Sequence, residues 1–153
     1  MFDRDWIAAH IPHRGGMCLL DRVLEWDPTL VRCAATSHRD PFNPLRAHGR
    51  LGAACGIEYA AQAMAVHGAL VGSNGTGDST PPAGHGMLAS MRGVAIDVDR
   101  LDDIDAELII VAHRQSGDAQ AIGYTFEVSA AGRSLLRGRA TVVAGSLRME
   151  QPK

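Results

Sequence analysis

Glu58 and the stretch from His38 to Arg46 hold the residue types in this chain best suited to moving protons. Glu58 falls in the first turns of a helix-forming segment whose other faces are small and apolar. Glu58 should therefore be at least partly buried, and since an isolated carboxylate is costly to bury, it is expected to be held as the protonated acid, ready to donate. The alternative is an exposed acid near a helix N-terminus, favoured there by the dipole. Gln62 lies one turn further on the same face and is placed to hydrogen-bond Glu58. Ahead of the helix runs His38-Arg39-Asp40-Pro41-Phe42-Asn43-Pro44-Leu45-Arg46. A neutral imidazole serves as a base near pH 7, and a carboxylic acid serves as a proton donor. A base and an acid at one site are what elimination of water needs. A helix N-terminus beside them offers unpaired N–H groups to a carbonyl oxygen that becomes enolate-like. Taken alone, a histidine such as His38 is more often a satisfied loop or surface residue.

The remaining histidines are weaker candidates. His48 reads as a loop residue or a supporting group, His67 as structural and late in the helix, and His85 as part of a Gly-rich loop. The His and Cys residues lack spacings such as Cys-x-x-Cys or His-Glu-x-x-His, so no metal is expected. Gly-x-Gly-x-x-Gly, P-loop and serine nucleophile-elbow patterns are also missing, and no cofactor is expected.

The elements that must position these residues follow from periodicity. Asp3 is a candidate N-cap for a short helix through His10, with Trp6 and Ile7 facing inward and Pro12 ending it. Residues 17–26 and 30–36 read as strands, the first with broken alternation at Asp21, Arg22 and Glu25. A polar stretch, residues 37–50, has the composition of a functional loop. Residues 51–70 then place Leu51, Ala54, Cys55, Ile57, Ala61, Met64 and Ala65 at helical spacing. A helix so small and apolar nearly all round is expected to be buried, with a curved sheet wrapped closely about it. Residues 71–86 turn to Gly, Ser, Asn, Thr and Pro, the composition of a mobile surface loop. Residues 87–98, 106–114, 121–129 and 134–144 read as strands joined by short turns, hence antiparallel neighbours. The order is that of an α+β domain.

Size and charge bound the rest. The 153 residues suffice for one domain, 1–153, with 147–153 as a loose tail. A net charge of −2 argues against a nucleic-acid binder, which carries a basic face. The N-terminus lacks a basic flank followed by an apolar core, and no stretch is apolar enough to form a membrane span. Cys18, Cys33 and Cys55 form no Cys-x-x-Cys pair, which fits reduced thiols and a cytoplasmic location.

Two stretches resemble a known family. Ile11-Pro12-His13-Arg14 with Met17-Cys18-Leu19-Leu20-Asp21-Arg22-Val23 resembles the Leu-Pro-His-Arg…Leu-Leu-Val-Asp-Arg-Val opening of bacterial 3-hydroxyacyl-acyl-carrier-protein dehydratases. Asn43-Pro44 through Gly56-Ile57-Glu58-Tyr59-Ala60-Ala61-Gln62-Ala63 resembles their central helix, in which the catalytic Glu is followed by Gln one turn later. The wording is more similar still to the dehydratase-like proteins of aryl polyene pigment clusters. The resemblance implies a hotdog fold, a long central helix wrapped by a curved antiparallel sheet. It implies dehydration of a 3-hydroxyacyl thioester on acyl-carrier protein to a trans-2-enoyl thioester, in fatty-acid-like or polyketide-type biosynthesis. His38 would be the base at C2 and Glu58 the acid at the departing C3 hydroxyl, the two coming from different subunits. Gln62, Asn43, Gly52 and His13 would orient substrate or support the pair. The partners implied are acyl-carrier protein with its phosphopantetheine arm and a homodimer mate or another hotdog chain.

The chain also departs from that pattern. Arg39-Asp40 replaces the family's Phe-Pro, extra residues stand around Arg46 to Arg50, and Leu51-Gly52 replaces Pro-Gly before the helix. These departures keep two alternatives in view: a hotdog acyl thioesterase, and a non-catalytic partner subunit of another dehydratase.

Overall fold

The computed structural model describes residues 2–13, 15–72, 87–118 and 120–143. The expected Gly-rich loop beyond Gly72, with His85, and the expected tail 147–153 lie outside the described residues.

Helix α1 spans Arg4–His10, and Asp3 caps it by accepting from the Trp6 N–H at 3.1 Å. Ile7 is fully enclosed, while Trp6 is half-buried and stacks on His10 at 4.0 Å between ring centroids. A 3-10 turn, Gly15–Met17, follows where the sequence reading began a strand. Strand β1 starts only at Arg22–Asp27. Cys18, Leu19 and Leu20 are nevertheless fully buried, so their apolar run belongs to the core without belonging to the sheet.

The other strands are β2 (Leu30–Ala35), β3 (Met87–Ile96), β4 (Leu108–Gly117), β5 (Ala121–Ala130) and β6 (Arg133–Val143). They form one six-stranded sheet in the order β1-β2-β4-β5-β6-β3, with every pairing antiparallel. Alternation decides which side faces the helix: Ile110, Ala112, Tyr124, Phe126 and Val128 point inward.

Helix α2, Gly56–Gly72, crosses that inner face and packs on β2, β4 and β5. It begins later than residue 51 because Ala53–Cys55 form a 3-10 turn with no side-chain cap ahead of it. Small residues make the close approach feasible, with Ala60 and Ala63 fully enclosed. At Gly56 a Cβ would stand 2.5 Å from Leu136 Cδ2, so the start of the helix packs directly on that buried side chain, which a larger residue would have to displace. A single long helix held in the curve of an antiparallel sheet is the hotdog architecture, α+β as the sequence implied. Among the described residues no helix is long and apolar enough to cross a membrane, and no three of His, Cys, Asp and Glu gather as a metal would require.

Candidate functional site

Glu58 stands in the first turn of α2 with its side chain 35% exposed. The apolar helix pattern predicted an acid at least partly buried, and the side chain is half-buried, as are Cys55 and Ile57 beside it. The partner of Glu58 is not the expected one. His13 Nε2 lies 3.0 Å from Glu58 Oε2, across 45 residues of sequence. The His13 side chain is 24% exposed, and its Nδ1 is buried without a hydrogen-bond partner among the described residues.

Gln62 does not bond Glu58. It is fully enclosed, accepts from the Leu19 N–H through Oε1 at 2.9 Å and donates through Nε2 to the Met17 carbonyl at 2.6 Å. Those bonds clamp to α2 the segment that follows His13. The helical spacing of Glu58 and Gln62 thus serves two different contacts to one loop. That arrangement could not be read from spacing alone.

His38 lies in a 3-10 turn, Ser37–Arg39, and is fully enclosed. Its Nε2 lies 3.1 Å from the Ile104 carbonyl, which can only accept, so the neutral ring donates there and carries its lone pair on Nδ1. Nδ1 is buried and has no partner among the described residues. Burial lowers the His38 pKa below the ordinary histidine value, opposed by the carbonyls of Ile104 and Ala106, so the neutral form is favoured. Within one chain, His38 and Glu58 share no hydrogen bond. Arg39 Nη1 also donates to the Ile104 carbonyl, at 3.0 Å.

Asn43 is buried and organises the loop. Its Nδ2 donates to the Ser37 carbonyl at 2.9 Å and to the Tyr59 hydroxyl at 3.1 Å, while Oδ1 accepts from the Leu45 N–H at 2.8 Å. Ser37 Oγ donates to the Leu19 carbonyl at 2.8 Å, so its contact with Tyr59, also 2.8 Å, has the phenol as donor. The chain Asn43 to Tyr59 to Ser37 to Leu19 therefore runs in one direction. Burial pushes the Tyr59 phenol up, with the bonds to Ser37 and Asn43 opposing. Sequence reasoning missed Ser37 and Tyr59. The available signal was a tyrosine directly after Glu58 in an otherwise small-residue helix, on a different face.

Gly52 precedes the helix and bridges to Arg100. The adjoining donors are partly taken: Leu51 N–H by Asp102 Oδ1 at 2.9 Å and Ala53 N–H by the Asp99 carbonyl at 3.0 Å. The Arg100 guanidinium beside Asp102 holds that carboxyl well below the usual range. The extra residues before Gly52 close on themselves, Ala47 and Arg50 exchanging backbone bonds at 2.9 and 3.1 Å around His48 and Gly49, both at positive φ. A groove of about 430 Å³ beside the His38 turn is lined by Arg4, Asp21, Ser37, Arg39, Phe42 and Asn43. The site thus has two parts: the paired Glu58 and His13, and the enclosed His38 with the polar chain next to it.

Solved structures share this architecture. A chain of the dehydratase heterocomplex ApeI:P from Xenorhabdus doucetiae is similar, with TM-score 0.78, 25% identity and 90% of each chain covered. Zebra fish thioesterase superfamily member 2 matches with TM-score 0.64 at 14% identity, covering 93% of this chain and 95% of that one. An HP0420 homologue from Helicobacter felis matches with TM-score 0.64 at 10% identity, covering 97% and 91%. The latter pair carry the fold alone. A comparison with curated protein sequences found no match. The model of one family, ApeP-like, described as ApeP dehydratase, matches residues 6–151. The chain belongs to the ApeP-like dehydratase family.

Proposed function

We propose that this chain takes part in dehydrating a 3-hydroxyacyl thioester, carried by an acyl-carrier protein, to the trans-2-enoyl thioester, with Glu58 as the acid. The observation that carries the reading is the Glu58 carboxyl itself. It is half-buried at the start of a buried helix and bonded through Oε2, which leaves Oε1 for a substrate. In the forward step a base removes the C2 proton, the C3–O bond breaks, and Glu58 gives its proton to the departing hydroxyl as water. The base in this reading is His38, kept neutral by burial and offering Nδ1. It would meet the Glu58 of a second hotdog subunit rather than its own. Asn43 and Gln62 hold the loops in place, and the start of α2 near Gly52 would receive the thioester carbonyl. The whole chain would act as a single domain in the cytoplasm, in keeping with its free cysteines.

One observation favours a second reading. His38 is fully enclosed within its own chain, so this subunit would lend Glu58, or only its surface, to a partner that supplies the working base. The similar Xenorhabdus doucetiae structure is the dehydratase heterocomplex ApeI:P, and a mixed assembly is proposed on that ground.

The test is to incubate the protein, alone and with a hotdog chain encoded beside it, with 3-hydroxyacyl-carrier proteins of short, long and aromatic acyl type. Loss of one water by mass is expected from at least one combination. Failure of every combination, or release of free acid instead, would sink the dehydratase reading.

A further inference from the structure

We infer that His13 is the positioning residue of Glu58, fixing which carboxyl oxygen carries the proton that leaves. This deepens the proposed function and rests on it for its consequence, though not for its geometry.

The pair is built from both sides. Glu58 is held on the first turn of α2, and His13 on the segment that Gln62 clamps to the same helix through Met17 and Leu19. Ile11, buried just ahead of His13, anchors the other end of that segment. Neither partner floats, so the 3.0 Å contact is set by the fold and not by two flexible surface side chains. Nδ1 is buried with no partner among the described residues, so a hydrogen there would be stranded, and the ring hydrogen belongs on Nε2, which faces Oε2.

The consequence is atomic. An imidazole that donates its Nε2–H to Oε2 leaves no room for a second proton on that contact. Oε2 is the acceptor, so a protonated Glu58 carries its hydrogen on Oε1, the oxygen that His13 does not hold. In the elimination that proton goes from Oε1 to the leaving hydroxyl, and the C2 proton goes to the base. Both groups then exchange with solvent to reset, and His13 takes no part in either transfer. It touches the reacting atoms only through Glu58.

The experiment has a kinetic arm and a spectroscopic one, both on the active assembly. His13→Ala is expected to lower kcat by about 10- to 100-fold with KM little changed, the usual scale for a misplaced catalytic group. His13→Gln places an amide N–H near the position of Nε2 and should recover much of the loss. In a Glu58→Gln background His13→Ala should cost nothing further. The spectroscopic arm follows the ring nitrogens of His13 by NMR. They should report a fixed Nε2–H form in the wild type that is lost in Glu58→Ala, whether or not any substrate turns over. Equal losses for His13→Ala and His13→Gln, a further loss in the Glu58→Gln background, or nitrogen shifts indifferent to Glu58→Ala would each overturn the assignment. A wild type without activity but with the fixed form would end the dehydratase reading and leave the pairing standing.

Discussion

At the scale of single residues, the account turns on two groups that burial treats differently. Glu58 is reachable and paired, and His38 is enclosed and neutral. His38→Ala and Glu58→Gln should each slow dehydration by about 100-fold or more, the upper range for a positioned acid or base, as read in single-turnover assays. An unchanged rate for His38→Ala beside a large loss for Glu58→Gln would assign the base to a partner chain. The same burial has a consequence for stability. His38 and His67 both have pKa values lowered, chiefly by burial, so the unfolded chain binds their protons at a higher pH than the folded one. Their contribution is fully present above the ordinary histidine value of about 6.5 and is lost as pH falls through the lower folded values. Denaturation midpoints should therefore fall between about pH 7 and pH 5. His67→Gln should flatten that slope, since His67 is fastened between the Tyr124 hydroxyl at 2.7 Å and the Asp27 carbonyl at 2.9 Å.

At the scale of elements, the helix start is where packing and chemistry meet. The Gln62 amide binds Met17 and Leu19, and its removal strands a buried Leu19 N–H. Gln62→Ala should cost about 1–3 kcal/mol by urea denaturation, the range for an orphaned buried polar group, and should lower activity by loosening the His13 segment. Gly56→Ala would push a methyl into Leu136, a fully buried neighbour, and should cost about 1–3 kcal/mol, the usual range for an overpacked core. The helix, its small residues and the Asp3 cap were legible because each has a local signature of period or residue type. The contacts between elements were not. Gln62 sits at the right spacing to reach Glu58, yet its amide matches the backbone groups of Met17 and Leu19, and a buried amide goes where backbone partners await it. His13 was read in its motif but not as the partner of Glu58, since a 45-residue separation leaves no periodic trace. The start of β1 was misplaced for a related reason: Cys18 to Leu20 are buried in the core without joining the sheet, and apolar runs do not say what buries them.

At the scale of the molecule, the sheet ends in β1 on one side and β3 on the other; among the described residues no further strand pairs with either, and β1 meets only the short Phe2–Asp3 segment through the Asp3–Arg22 bridge. A long unpaired edge invites pairing with another chain. In the proposed assembly that chain is a second hotdog subunit, and size-exclusion chromatography with light scattering on the co-expressed pair should show one mixed species. The central claim is that Glu58 of this chain is the acid of the dehydration, and one comparison tests it most directly. The active assembly is prepared with wild-type chain and with Glu58→Gln, each confirmed to assemble equally, and water loss from a 3-hydroxyacyl-carrier protein is timed by mass. The account predicts a fall of about 100-fold or more in the variant. Equal rates in the two assemblies would contradict it and leave this chain a structural partner.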